Sequence, residues 1–581
     1  MKTYQIIPLL LFTLFLSVAR TLAAPSEAEF RKLQETWTLQ TDGSQEYRCY
    51  KELTLFTHTA MNSTYGETFI TYNPAHQELK IHDAYVRQKD GSIVRTPVNA
   101  FVEVLPREAA DAPAFNHLKE MVIVHTGLEL GATIYLDYSI ISKPGYLPEI
   151  DVCKSLLESS PVKEYTLTFV VPENKPVNYE TLQIKTQPKE TFQNGNRQVQ
   201  WKLQNLPAGS RSPEIHLQNG DVPGILFSTY PSAQAALKRI YQQFDAPGKV
   251  SALAQKLTAG CKTNTEKLLA LADYVRDQIT LCPVAPSAIG WQMRPAAELT
   301  RSLYGTEYEK VNLLTNLLKA VNIPAVPLAV YRIDAEPGHC GLEAIGELIV
   351  KAQADSKEYR LSPASSLPAG LNGSFCIALE NGEKTVLKTP VRQIDYTADI
   401  VLNKEDAQME ISTTLSNDYL PYQKNVSGAV LPQAKDCKVS MNTETTTVNG
   451  SMNNPLDDQN DYLFLQLPES LNGINRFSYA RYSSKRPENL RLTARSREHY
   501  SYTIEIPAEL ELCTLIQGKK IQNQVGILAI SYKLENNVLH VSRNLELNKT
   551  LISPADYPAF RELVTEWADP NGQQLLFKKK K

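Results

Sequence analysis

The stretch from Arg301 to Pro324 limits the fold more than any other part of the chain. Leu313, Leu314, Leu317, Leu318 and Val321 recur at three- and four-residue steps, the spacing that buries one face of a helix. Thr306 and Glu309 form an S/T-x-x-E capping box, which fixes the helix start and puts Glu307 in its first turn. Asn322 suits the left-handed position that ends a helix, and Pro324 blocks continuation. Strand-like runs follow at 325–332 and 347–352, then Tyr359-Arg360-Leu361-Ser362-Pro363. Helical spacing also marks 235–244, 250–258 and 265–279. Helices followed by a small sheet predict an α+β unit over 229–370.

Both flanks read as β. Residues 164–171 and the Ile134, Leu136, Tyr138, Ile140 series alternate apolar and polar positions. Asp90-Gly91 is a hairpin signal between 81–87 and 93–95. The spacing predicts a β-sandwich over 24–228. Beyond 371 the runs 525–534 and 538–547 flank Glu535-Asn536-Asn537 as a hairpin. Ser553 and Pro554 open a late helix, Leu575-Leu576-Phe577 adds a strand, and 371–581 is predicted to form one or more β domains.

Gly305, the Lys310-x-Asn312-Leu313-Leu314 run and the strands after it resemble the core of the transglutaminase-like superfamily, a papain-like fold. The 131–138 strand, Val199-Gln200-Trp201, Leu206-Pro207-Ala208 and Phe227-Ser228-Thr229 resemble the N-terminal domain of unknown function that accompanies such cores. The C-terminal part resembles their β domain. The resemblance implies a nucleophilic Cys at the helix start, a His opening a later strand and an Asp in an Asp-Pro pair. On this chain those three positions read Glu307, Glu347 and Ser362.

Chemistry changes with those residues. A helix N-terminus makes a thiolate available from Cys, whereas it simply stabilises the Glu307 anion, by about 0.3–1 kcal/mol. Glu347 cannot take a thiol proton and be oriented as an imidazole is, and Ser362 carries no charge to orient anything. No catalytic residue is assigned, and the chain is expected to be a pseudoenzyme of the cell envelope that binds or assembles. Its ligand would be a protein, a peptide or an envelope glycan, held in the old cleft or on β-domain surfaces. Trp291, Glu307, Tyr308 and Glu347 are the expected lining, an acidic cleft suited to an amine-bearing ligand. Two enzymes stand as alternatives. One is a hydrolase with Glu307 and Glu347 as an acid/base pair. The other is a displaced-cysteine peptidase or amidase built on Cys282, Cys340 and His339.

The 581 residues allow several full-sized cores. With 60 basic and 63 acidic side chains the net charge is −3, and nothing points to nucleic acid. Lys2, the apolar run 6–18 and Thr21-Leu22-Ala23 read as a signal peptide over 1–23, so an exported protein, periplasmic or extracellular, is expected. No Cys follows that cleavage point, which argues against an N-terminal lipid, and no later run is long enough to span a bilayer. The eight cysteines include no C-x-x-C pair, and most are expected to be free thiols. His82, His117 and His125 lack metal-site spacing, and the 453–461 loop lacks the Gly and closing Glu of a calcium loop. No cofactor or metal is expected, and no phosphate-binding or G-x-S-x-G motif occurs.

Overall fold

The computed structural model describes residues 26–62, 65–209, 221–331, 341–364, 373–388, 391–419, 425–442, 444–474, 482, 485–514 and 517–580. The expected signal peptide and the His339-Cys340 pair lie outside the described residues.

Alternating strands build the N-terminal unit. An eight-stranded sheet runs in the order Lys189–Gln193, Asn196–Leu206, Val162–Pro172, Ala28–Leu39, Gln45–Leu55, Thr133–Ser142, Gln77–Arg87, Ile93–Arg95. All its pairings are antiparallel save that of Ala28–Leu39 with Val162–Pro172, which is parallel. Two three-stranded sheets complete the sandwich. One holds Asn178–Leu182, Gly224–Ser228 and Asp151–Ser155; the other Glu67–Tyr72, Lys119–Val124 and Phe101–Val104. The Asp90-Gly91 hairpin forms as expected, with Gly91 at φ 92°.

Gly224–Ser228 serves two cores at once because strand side chains alternate. Ile225 and Phe227 enter the sandwich, whereas Leu226 packs with the central helices.

The central unit is α+β, as the periodicity requires. Five antiparallel strands lie in the order Lys357–Leu361, Glu347–Ala354, Ala325–Tyr331, Phe375–Ala378, Lys384–Val386. This sheet continues past residue 370, through two short strands that carry little alternation of their own. The Glu307–Ala320 helix packs on one face against Ala329, Leu348 and Val350. Leu328, Val330, Ile349 and Cys376 line the other face. The 3.6-residue period predicts one buried face, yet every residue from Tyr308 to Leu318 is buried. Helices Ser251–Thr258 and Asn264–Asp273 cover what would have been the wet side, and most of its polar residues are bonded inside, the Thr315 hydroxyl excepted. Lys310 Nζ donates to the Ile279 carbonyl at 2.6 Å, and Asn316 Nδ2 to Asn312 Oδ1 at 2.8 Å.

The C-terminal unit has its own core. Eight strands run Lys435–Met441, Thr445–Pro455, Asp406–Ser416, Arg392–Leu402, Ser496–Glu505, Val538–Leu547, Gly526–Glu535, Lys519–Gln522. They pack on helix Tyr557–Trp567 and a four-stranded sheet that includes Gln574–Lys579. Asn536 and Asn537 take the left-handed conformation that the tight hairpin needs.

Candidate functional site

The expected site lies at the amino end of the Glu307 helix. Thr306 accepts the Glu309 N–H through Oγ1 at 3.4 Å, and Glu309 Oε2 accepts the Thr306 N–H at 2.9 Å, closing the capping box. Glu309 is 0 % exposed. Its carboxylate also accepts Arg294 N at 2.8 Å, Nε at 3.0 Å and Nη2 at 2.9 Å. A buried carboxylate with four donors and a bidentate guanidinium is fully satisfied. Arg294 lies over the rings of Phe115, at 5.0 Å, and Tyr304, at 4.7 Å, which ties the helix start to the N-terminal unit.

Glu307 is half-buried, and its Oε1 accepts the Leu348 N–H at 2.6 Å. The carboxylate therefore bridges the first turn of the helix to the strand Glu347–Ala354. Leu348 and Val350 of that strand face the helix and Ile349 the opposite side. Glu347 shares the face of Ile349, beside Cys376, whose thiol is pushed up to about 12 by burial and by the Glu347 charge. Glu307 thus meets this strand at a main-chain amide, while Glu347 projects beside Cys376. Ser362 follows the Lys357–Leu361 strand, and its Oγ accepts the Ala364 N–H at 3.3 Å.

Trp291 and Tyr308 do not line an open cleft. They are 6 % and 8 % exposed, sit in the central core, and meet edge to face at 5.8 Å. Burial, then the charges of Glu307 and Glu343, pushes the Tyr308 hydroxyl well up. Of the four expected lining residues the two aromatics are therefore core, whereas Glu307 and Glu347 remain half-buried.

Sequence reasoning missed what covers this end. Asp151, from the N-terminal unit, accepts the N–H groups of Leu342 at 2.5 Å and Glu343 at 3.2 Å. Burial and the neighbouring Glu343 push its carboxyl up to about 7. Gly341 runs so close that a Cβ there would lie 2.1 Å from Asp151 Oδ1. Nearly two hundred residues separate these partners, and no local pattern signals such a contact.

Seven cysteines are free thiols among the described residues. Cys282 lies beside the helix start, its N–H donating to the Gly305 carbonyl at 2.8 Å. Its Sγ turns instead to the Glu108 carbonyl at 3.5 Å, and burial raises its pKa. No imidazole hydrogen-bonds a thiol among the described residues. No group of His, Cys, Asp and Glu fit to hold a metal occurs among them either.

Three family models match in chain order. They are the domain of unknown function DUF3857 over residues 41–210, the transglutaminase-like superfamily core over 251–352, and the domain of unknown function DUF3858 over 461–577. A solved structure described as a candidate protease from Parabacteroides distasonis ATCC 8503 is 38 % identical, with TM-score 0.78 over 95 % of this chain and 99 % of that one. The chain belongs to the transglutaminase-like superfamily. A candidate cysteine protease from Cytophaga hutchinsonii also matches, at 14 % identity over 42 % of this chain and 84 % of that one. Its TM-score is 0.20. No curated protein matches. Within this transglutaminase-like chain the start of the core helix is occupied by a carboxylate that bonds a backbone amide, and rings and an interdomain strap pack around it.

Proposed function

We propose that this transglutaminase-like protein is a non-catalytic binding or assembly protein, exported to the periplasm or cell exterior. The observation that carries the reading is the Glu307 carboxylate, spent on the Leu348 amide where the superfamily resemblance calls for a nucleophilic sulfur. Export rests on Lys2, the apolar run 6–18 and Ala23. With Trp291 and Tyr308 buried, ligand contact falls to the β-domain surfaces and the grooves between units.

A second reading, a cysteine peptidase with a displaced thiol, is favoured by the description of the Parabacteroides relative. One assay separates them. Purified protein is given casein with dansylcadaverine for acyl transfer, and quenched fluorescent peptides for hydrolysis. We expect no turnover above buffer. Turnover abolished by Cys282→Ala or Cys340→Ala would establish the peptidase; turnover abolished by Glu307→Gln would make Glu307 catalytic.

A further inference from the structure

A groove of about 500 Å³ lies between the N-terminal and central units, within the range of about 300–1,000 Å³ usual for small-ligand sites. Turns of the sandwich form one wall with Asn73, His76 and Tyr146. Phe115 and His117 form the floor, and Gln292, Met293 and Arg294 of the central unit close it.

Four rings line the groove: His76 and His117 are exposed, while Phe115 and Tyr146 are buried behind them. His76 stacks on Tyr146 at 4.7 Å and 5°, and since His76 is exposed, its outer face is left for a ligand. Phe115 lies under the Arg294 guanidinium. The central wall is held in a costly backbone conformation. Gly290 and Trp291 are both left-handed, at φ 63° and 60°, and a Cβ on Gly290 would lie 2.7 Å from the Tyr146 ring. Gln243 clamps that segment through the Trp291 carbonyl at 2.9 Å and the Met293 N–H at 3.0 Å.

The polar groups facing the space are mixed in sense. His117 Nδ1 lies 3.1 Å from the Ala114 carbonyl, which can only accept, so Nδ1 carries the proton. Nε2 is left as the ring atom available to a ligand. Arg294 Nη1 makes only a 3.4 Å contact, to Ser302 Oγ, and retains a donor. Gln292 is exposed and offers both an acceptor and donors. Among the described residues no carboxylate lines the groove. The backbone amides around it are already taken: His76 N by Asn73 O, Tyr146 N by Lys143 O, Ala114 N by Tyr304 Oη and Gln292 N by Ile289 O. Hydroxyls donate and accept, and the C–H faces of a pyranose sit on flat rings, so the groove matches a sugar on both counts.

We propose that this groove is a saccharide-binding subsite, with the outer face of His76, backed by Tyr146, as its stacking platform and His117, Gln292 and Arg294 as its hydroxyl partners. The proposal gives a ligand class to the binding reading above. Its failure would leave that reading standing, because the test below measures no turnover.

Chitotetraose, cellotetraose and maltotetraose are offered to the full chain, with tetra-alanine as the peptide arm, and followed by calorimetry and saturation-transfer NMR. We expect at least one saccharide to bind. His76→Ala and His117→Ala, both at exposed positions, should weaken it at least about tenfold, and His499→Ala on the distant C-terminal sheet should not. Retained circular dichroism and melting temperature establish that the variants are folded. The proposal is overturned by binding of none of the three sugars, by binding indifferent to both groove variants, or by tetra-alanine binding with the same dependence.

Discussion

Glu307 supplies an anion to a helix start and an acceptor to the Leu348 amide, and substitution can separate the two. Glu307→Gln keeps an acceptor and loses the charge, so unfolding free energy should fall by about 0.3–1 kcal/mol. Glu307→Ala also strands the Leu348 N–H, for a further loss of about 1–3 kcal/mol in urea titration. A Gln variant as damaging as the Ala variant would mean the charge dominates. Asp151 gives a pH signature. Its folded carboxyl is pushed up to about 7, against about 4 in an unfolded chain, so the folded state holds the proton more tightly. That contribution to stability is full below about pH 4 and is lost as pH rises through about 7. Asp151→Asn should therefore flatten the fall in melting temperature between pH 5 and pH 8. Glu498, buried in the C-terminal unit and also pushed up to about 7, should leave a residual slope. An unchanged slope in Asp151→Asn would place the titration elsewhere. None of this was legible in the sequence, since Asp151 sits in a strand with no motif around it.

The Glu307–Ala320 helix was the most legible element because three local signals agree: the leucine period, the capping box and the Asn322 stop, seen at φ 61°. Its all-round burial was not legible, since helices that cover the polar side are a tertiary fact. Nor was the Arg294–Glu309 pair, fifteen residues apart across a loop. That pair sets a large expected effect. Arg294→Met leaves a fully buried carboxylate without its cation and should cost about 3–5 kcal/mol, read as a lower denaturation midpoint. Hydrogen exchange should quicken first in residues 290–296 and 306–310. A loss below about 1 kcal/mol would mean the Glu309 charge is met by its two backbone donors, the N–H groups of Arg294 and Thr306, alone. The strand beginning at Glu347 teaches the opposite lesson. Its apolar neighbours Leu348 and Val350 already fix which face meets the helix, so the outward direction of Glu347 could have been read from parity.

At the level of the molecule, the order of β, α+β and β units was legible from alternation and helical spacing. The sharing of Gly224–Ser228 between two cores was not, because which side of a strand meets which unit depends on packing. That sharing, with the Asp151 strap and the Tyr146 Oη bond to the Ala288 carbonyl at 2.6 Å, makes the N-terminal and central units one cooperative block. Calorimetry should resolve two transitions, one for this block and one for the C-terminal unit with its separate core, rather than three. Independent melting of the sandwich would contradict that coupling. The account as a whole turns on whether any sulfur in the chain is activated. The direct measurement is the rate at which iodoacetamide labels each of the eight cysteines in the native protein at neutral pH, followed by mass spectrometry. We predict that exposed Cys513 labels first, at the rate of a free thiol, with Cys49, Cys282 and Cys376 slower because burial raises their pKa. A cysteine that labels faster than a free thiol, and whose substitution by Ala removes a measurable turnover, would contradict the non-catalytic account.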